Sequence, residues 1–249
     1  MKIYKYILIA ALMCLLLSAC NGGDSGSSDS PQEITTVPVT TFSIESSEVS
    51  SCVRVGREES FSYTDKNKNT VSVVYRIPAL TFDTPDAEKI NNEISNEYNE
   101  AFSAAFEATS AKKSPEYSGI DYSAYVNDDI VSLVITEESS GHRLSYRVYN
   151  YNKSTGKQLD NEGLLAYLQR DVDETYAELQ SALEEDYLAK FKEEKFPDDY
   201  YYQLDLTISD EAVRRSQMFL NADAELYAVC VEYAGVGDGE YSVLISLAT

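Results

Sequence analysis

The spacing of apolar positions changes several times along the chain, and each change marks an element. Val71-Ser-Val-Val-Tyr-Arg-Ile77 is short and rich in β-branched residues, which predicts a strand that Pro78 ends. Ser60–Tyr63 is its expected hairpin partner across Thr64–Thr70. From Ile90 the period becomes helical, through Ile94, Tyr98, Ala101 or Phe102, and Ala105. Thr84 is placed to cap this helix, Pro85 suits its first turn, and Asp86 and Glu88 favour the positive end of its dipole. It is expected to reach about Thr109. Alternation then returns in Ile120, Tyr122, Ala124 and Val126, again in Ile130–Thr136, and again in Leu144, Tyr146 and Val148. The connections are short, and Lys153–Lys157 makes a further turn, so these strands form an antiparallel meander. A short helix is predicted over Glu162–Leu168. A longer one is predicted over Asp171–Lys195, with Val172, Tyr176, Leu179, Leu183, Tyr187 and Phe191 on one face, acids on the other, and Pro197 as its stop. Strands are expected again over Tyr200–Ile208, Ser216–Leu220, Glu225–Tyr233 and Tyr241–Leu247. The pattern predicts an α+β module: antiparallel sheet or sheets with two main helices packed on one face, or two related subdomains.

The first fifty residues have a different character. Lys2 and Lys5 precede an apolar run from Ile7 to Leu17. Eleven helical residues rise about 16 Å, too short for a hydrocarbon core of about 30 Å, so an export signal is expected over residues 1–19. Leu17-Ser-Ala-Cys20 resembles the lipobox of bacterial lipoproteins, in which the cysteine is acylated and becomes the mature N-terminus. That resemblance implies lipidation of Cys20, with palmitate among the acyl chains, and a cell-membrane location facing away from the cytoplasm. Residues 20–50, rich in Ser, Thr and Gly, cannot bury a core and are expected to act as a tether for the module at 51–249.

Charge narrows the choice of partner. The 249 residues hold 20 Lys and Arg against 42 Asp and Glu, a net charge of −22. Only Asp24, Asp29, Glu33, Glu45 and Glu48 among the acids lie before residue 50, so the excess belongs to the module. A nucleic-acid partner is not expected, since the balance of charge is the opposite of the cationic footprint that neutralises phosphates. With 43% apolar residues, 20 Tyr and 8 Phe, the module is nonetheless core-forming.

Candidate chemistry is sparse. His142 is the only imidazole, no Gly-x-Ser-x-Gly is present, and a hydrolytic zinc site would lack its usual His pair, so no cofactor or metal is expected. Asp65, Asn67 and Asn69 alternate as in a calcium loop, but Thr70 and Arg76 stand where such a loop needs Gly and Glu, which leaves a solvated turn. Asp238 and Glu240 could form a small acidic site or simply flank a hairpin turn. The Tyr200–Tyr202 run suggests sugar stacking or an edge strand facing solvent. Cys52 and Cys230 lie near opposite ends of the module and are either a disulfide or two buried thiols.

Three stretches carry a family resemblance: Tyr75–Pro78 with Asp86–Asn91, then Val131–Val134 with Gly141-His142, Tyr149-Asn150 and Thr155–Lys157, then Met218–Asn221 with Glu225–Tyr227. Their order and spacing resemble the exported domain-of-unknown-function family (DUF4163/DUF3298-like) of the outer region of RsiV-type anti-sigma factors and of the peptidoglycan deacetylase PdaC. The family's Gly-Gly-Ala-His stretch is represented here only by Ser140-Gly141-His142. The resemblance implies an extracytoplasmic binding domain without chemistry of its own, whose partner is lysozyme in the anti-sigma branch. A non-enzymatic envelope lipoprotein that binds a protein such as lysozyme, or peptidoglycan, is therefore expected. Its partner surface is expected at Ser140, Gly141, His142 and Arg143 together with Asp238, Glu240 and Tyr241. The alternatives are a carboxylate-dependent glycan hydrolase and a structural or assembly lipoprotein.

Overall fold

In the computed structural model the described residues are 47–139, 141–191, 199–234 and 239–247, all within one compact unit, Thr41–Thr249. A short helix α1 (Ser47–Cys52) leads into a long hairpin of β1 (Val53–Thr64) and β2 (Thr70–Leu80). Phe61, Val73, Tyr75 and Ile77 of the hairpin are buried in one cluster. Pro78 does not end β2. Across from it β1 bulges between Val55 and Arg57, and Gly56 sits so close that a Cβ would lie 2.9 Å from the Pro78 carbonyl oxygen. The bulge lets a residue without an N–H stand inside a paired strand, so β2 continues to Leu80.

Helix α2 (Pro85–Ser110) follows, with Thr84 Oγ1 accepting from the Ala87 amide as expected of a cap. Its Ile90, Ile94, Tyr98, Phe102 and Ala105 are buried against Val131, Leu133 and Ile135. The chain then forms the meander of β3 (Tyr117–Asn127), β4 (Ile130–Ser139), β5 (Leu144–Asn152) and β6 (Lys157–Leu159). These join the hairpin in a six-stranded sheet ordered β1-β2-β3-β4-β5-β6. All neighbours are antiparallel except β2 and β3, which meet in parallel at Tyr75 and Ile120 because α2 forms the crossover between them. The sheet is thus mixed.

Two helices, α3 (Asn161–Tyr167) and α4 (Val172–Lys190), precede the second sheet, and α4 closes at Phe191, whose backbone is extended. The continuation of the helix expected to Lys195, and its stop at Pro197, lie outside the described residues. Residues 200–207, expected as a strand, form helix α5 (Tyr200–Thr207). Tyr200, Leu204 and Thr207 recur at helical spacing and are its buried residues, so helical burial wins over the β-prone composition. After α6 (Asp210–Arg214) come β7 (Gln217–Leu220), β8 (Leu226–Tyr233) and β9 (Glu240–Leu247), an antiparallel sheet in that order.

The two main helices do not share a face; each covers its own sheet. Leu179 and Leu183 of α4 pack with Leu226, Ala228, Cys230, Ile245 and Leu247 of the second sheet. The opposite side chains of that sheet, Phe219, Tyr227 and Val229, meet Tyr125, Val134, Tyr146 and Val148 of the first. The order is therefore helix, six strands, three strands, helix, an α+β architecture. Buried amides join the sheets: Ser132 Oγ donates to Asn150 Oδ1 at 2.7 Å, and Asn150 Nδ2 donates to the Met218 carbonyl at 2.7 Å. The Leu220 amide donates back to Ser132 Oγ, and Asn161 Oδ1 accepts from the Met218 amide. Side chains thereby satisfy the free edge of β7.

Candidate functional site

The turn from β4 to β5 is closed by its own backbone. The Ser139 amide donates to the Arg143 carbonyl at 2.8 Å and the His142 amide to the Ser139 carbonyl at 2.9 Å. His142 adopts φ of 59°, the left-handed region that L-residues occupy at a cost of about 1–2 kcal/mol. Its ring is 83% exposed, with Nδ1 2.7 Å from Glu138 Oε1. The single imidazole is thus a solvent-side partner of a neighbouring carboxylate. Gly141 is exposed beside it, and Ser140 lies outside the described residues.

Arg143 reaches across to the second sheet. Its guanidinium lies 5.6 Å from the ring centroid of Tyr241, at the start of β9. Two segments singled out independently in the sequence, a hundred residues apart, therefore adjoin. Glu240 is exposed next to this contact, while Asp238 lies outside the described residues.

From Tyr241 a continuous run of rings leads away. Phe191 is 6.2 Å from Tyr241, Tyr187 is 4.7 Å from Phe191, Tyr200 is 5.6 Å from Tyr187, and Tyr201 is 5.3 Å from Tyr200. Tyr187 and Tyr200 are buried, whereas Tyr201 and Tyr202 are 58% and 63% exposed. The helix explains the split. Successive residues turn by about 100°, so when Tyr200 points into the core the next two rings emerge. The outward rings expected of a strand edge are present, on a helix instead.

Beneath this run lies a group that the sequence reading missed. Glu232 is buried on β8, its side chain 1% exposed, with Lys190 Nζ of α4 3.2 Å from Oε2. Lys190 also pairs with Asp186 one turn earlier. Burial, and then a hydrogen bond shared with Asp186, push the Glu232 carboxyl up to about 8 against the opposing pull of Lys190. Burial likewise pushes the Tyr187 hydroxyl and the Cys230 thiol up to about 12. The signal was available in the sequence: Glu232 is in phase with Leu226, Ala228 and Cys230 along β8, so strand alternation places it inside.

The other buried acid is a tie between α2 and the first sheet. Glu137 accepts from Tyr98 Oη at 2.6 Å, from Ser145 Oγ at 2.8 Å and from Arg147 Nε at 3.4 Å. Burial and the neighbouring carboxylate hold the Tyr98 hydroxyl above its ordinary range. Asp65 serves its own turn, accepting from the Asn67 and Asn69 amides at 2.8 Å each, and these bonds hold its carboxyl below the usual value. Among the described residues no group of three or more His, Cys, Asp or Glu is arranged to hold a metal ion.

Cys52 and Cys230 are free thiols, both buried. Of the two sequence readings the disulfide is therefore not the one formed. Each cysteine fills a different core, Cys52 the cluster under α2 and Cys230 the cluster under α4. Cys20 lies outside the described residues. Among the described residues no helix is long and apolar enough to cross a membrane.

No family model matches the chain, and no curated protein matches it. Two solved structures are similar to it at low identity. A DUF3298 family protein from Pseudomonas aeruginosa PAO1 is 16% identical with a TM-score of 0.29, covering 61% of this chain and 71% of that one. A member of the same family from Bacteroides fragilis NCTC 9343 is 11% identical with a TM-score of 0.33, covering 78% of this chain and 89% of that one.

Proposed function

We propose that this chain is a non-catalytic binding module of the cell envelope, held at the membrane by lipid on Cys20, and that it engages a cationic protein of the lysozyme type. The observation that carries the reading is the meeting of Arg143 and Tyr241, which joins two loops from different sheets to a run of rings ending in exposed Tyr201 and Tyr202. Tyrosine and arginine are the side chains that most often anchor protein interfaces, since they offer large contact area with few rotatable bonds. The module's acidic excess would draw a basic partner to this surface and speed the encounter. Catalysis by carboxylates gains no support from Glu232, whose partner Asp186 and counter-ion Lys190 occupy it where a substrate would need access.

The test is calorimetric titration of residues 21–249 with a c-type lysozyme at about 0.15 M and about 0.5 M salt, where the Debye length falls from about 8 Å to roughly half that. Saturable one-to-one binding is expected to survive the higher salt. Tyr241→Ala, and separately the pair Tyr201→Ala with Tyr202→Ala, should each weaken it about tenfold or more. Heat that disappears with salt, or binding indifferent to these substitutions, would remove the lysozyme-type partner and turn the search to peptidoglycan and to other envelope proteins.

A further inference from the structure

The contact between the end of α4 and the end of β8 is electrically unbalanced. Two carboxyl groups, Asp186 and Glu232, are matched there by one cation, Lys190. Glu232 is wholly enclosed, and its Oε1 is buried with no protein donor to satisfy it. An enclosed carboxylate oxygen without a donor is costly, and a second negative charge beside it more so. One added proton resolves both problems, because a protonated Glu232 donates to Asp186 while Lys190 balances the charge that remains. Among the described residues, the other groups around Glu232 leave no alternative counter-ion. Cys230 lies on the same face of β8, Tyr187 faces it from α4, and Tyr200 of α5 stands behind Tyr187. Thr207 of α5 accepts from the neighbouring Tyr233 amide. On α6, Arg214 pairs with Asp173 and Asp210, and Arg215 pairs with Glu211. On β9, Tyr241 packs on Phe191, and β7 contributes no charged side chain.

We propose that Glu232 holds a proton in the α4–β8 contact, facing Asp186 and Lys190, and so forms a pH-sensitive latch beneath the Phe191–Tyr241 surface. With the proton in place the last turn of α4 is held down, and Phe191, which caps that helix, keeps its place against Tyr241. Loss of the proton leaves a buried carboxylate on Glu232 beside the half-buried one of Asp186, with one lysine between them. The cheapest relief is to let water in by lifting the end of α4, which carries Phe191 away from Tyr241. The direction follows from the raised carboxyl: the latch is closed in acid and at neutrality and opens as pH rises through about 8. The latch does not depend on the identity of any partner; only its consequence for binding rests on the function proposed above.

Two measurements on residues 21–249 test it. Carbon NMR of the side-chain carboxyls should show Glu232 titrating near 8, well above the ordinary range of about 4–5, with the midpoint rising further in Lys190→Met. Amide hydrogen exchange, corrected for its intrinsic pH dependence, should show residues 186–191 and 230–234 losing about tenfold protection between pH 6.5 and 9.5. In Glu232→Gln, whose amide keeps a donor toward Asp186 but cannot titrate, that loss should vanish. An ordinary Glu232 midpoint, or a loss of protection that persists in Glu232→Gln, would overturn the latch. If the latch titrates as stated while lysozyme binding is absent at every pH, the partner reading falls and the latch stands.

Discussion

Asn150 is the residue on which the pairing of the two sheets turns. It is almost fully buried, and its amide accepts from Ser132 and donates to the Met218 carbonyl, each at 2.7 Å. Asn150→Ala would leave a buried hydroxyl and a buried carbonyl short of a partner and open a small void. A loss of about 2–4 kcal/mol is expected in urea unfolding at constant m. Asn150→Asp is the sharper comparison, since it keeps the shape and the acceptor but cannot donate to Met218 when ionised. It should be at least as destabilising at pH 7 and partly recover in acid, where the protonated carboxyl can donate again. Ser132→Ala, which removes only the hydroxyl between Asn150 and the Leu220 amide, should cost less, about 1–2 kcal/mol.

At the scale of elements, what was legible depended on whether a segment offered one periodicity or two. Helix α2 could be read because Ile90, Ile94, Tyr98, Phe102 and Ala105 fit only a helix, with Thr84 and Pro85 marking its start. Residues 200–207 offered both: Leu204 and Leu206 alternate as in a strand, while Tyr200, Leu204 and Thr207 share one helical face. Burial against Tyr187 decided it, and that contact is invisible in the sequence. Pro78 misled for a related reason, because the bulge that tolerates it lies on the other strand, twenty-odd residues earlier. The candidate site divided in the same way. The sequence pointed to Gly141–Arg143 and to Glu240 and Tyr241 separately, but Phe191, Tyr187 and the Lys190–Glu232 pair join them only through tertiary packing. The bulge makes a prediction of its own. Gly56→Ala places a Cβ 2.9 Å from the Pro78 carbonyl oxygen and 3.1 Å from the Ala79 Cβ, both fixed by the strand. Overpacking of this kind costs about 1–3 kcal/mol, and a double variant with Ala79→Gly should recover only a small part of it, since the Pro78 carbonyl contact remains, measured by the same unfolding curves.

Across the whole molecule two electrostatic effects push stability in the same direction, and they can be separated. The net charge of −22 makes the folded chain repel itself increasingly as its carboxyls ionise, a diffuse effect that salt screens. Glu232 acts locally. Its carboxyl is raised from an unfolded value of 4.5 to about 8 in the folded state, so the unfolded chain releases that proton first. Its contribution is fully present below about 4.5 and is lost as pH climbs through 8, at no more than about 1.4 kcal/mol per pH unit within that window. Asp65, lowered in its turn, has the opposite sign and matters only below its ordinary value of 3.8, so it does not confuse the window. Thermal unfolding followed from pH 5 to 9 should therefore show a falling midpoint at low salt. At about 0.5 M salt the diffuse part should flatten, leaving a residual fall between pH 5 and 8, since the buried pair is poorly screened. In Glu232→Gln that residual fall should disappear at high salt while the low-salt slope remains. A residual slope unchanged by the substitution would assign the pH dependence to the surface charge alone and place the Glu232 proton elsewhere.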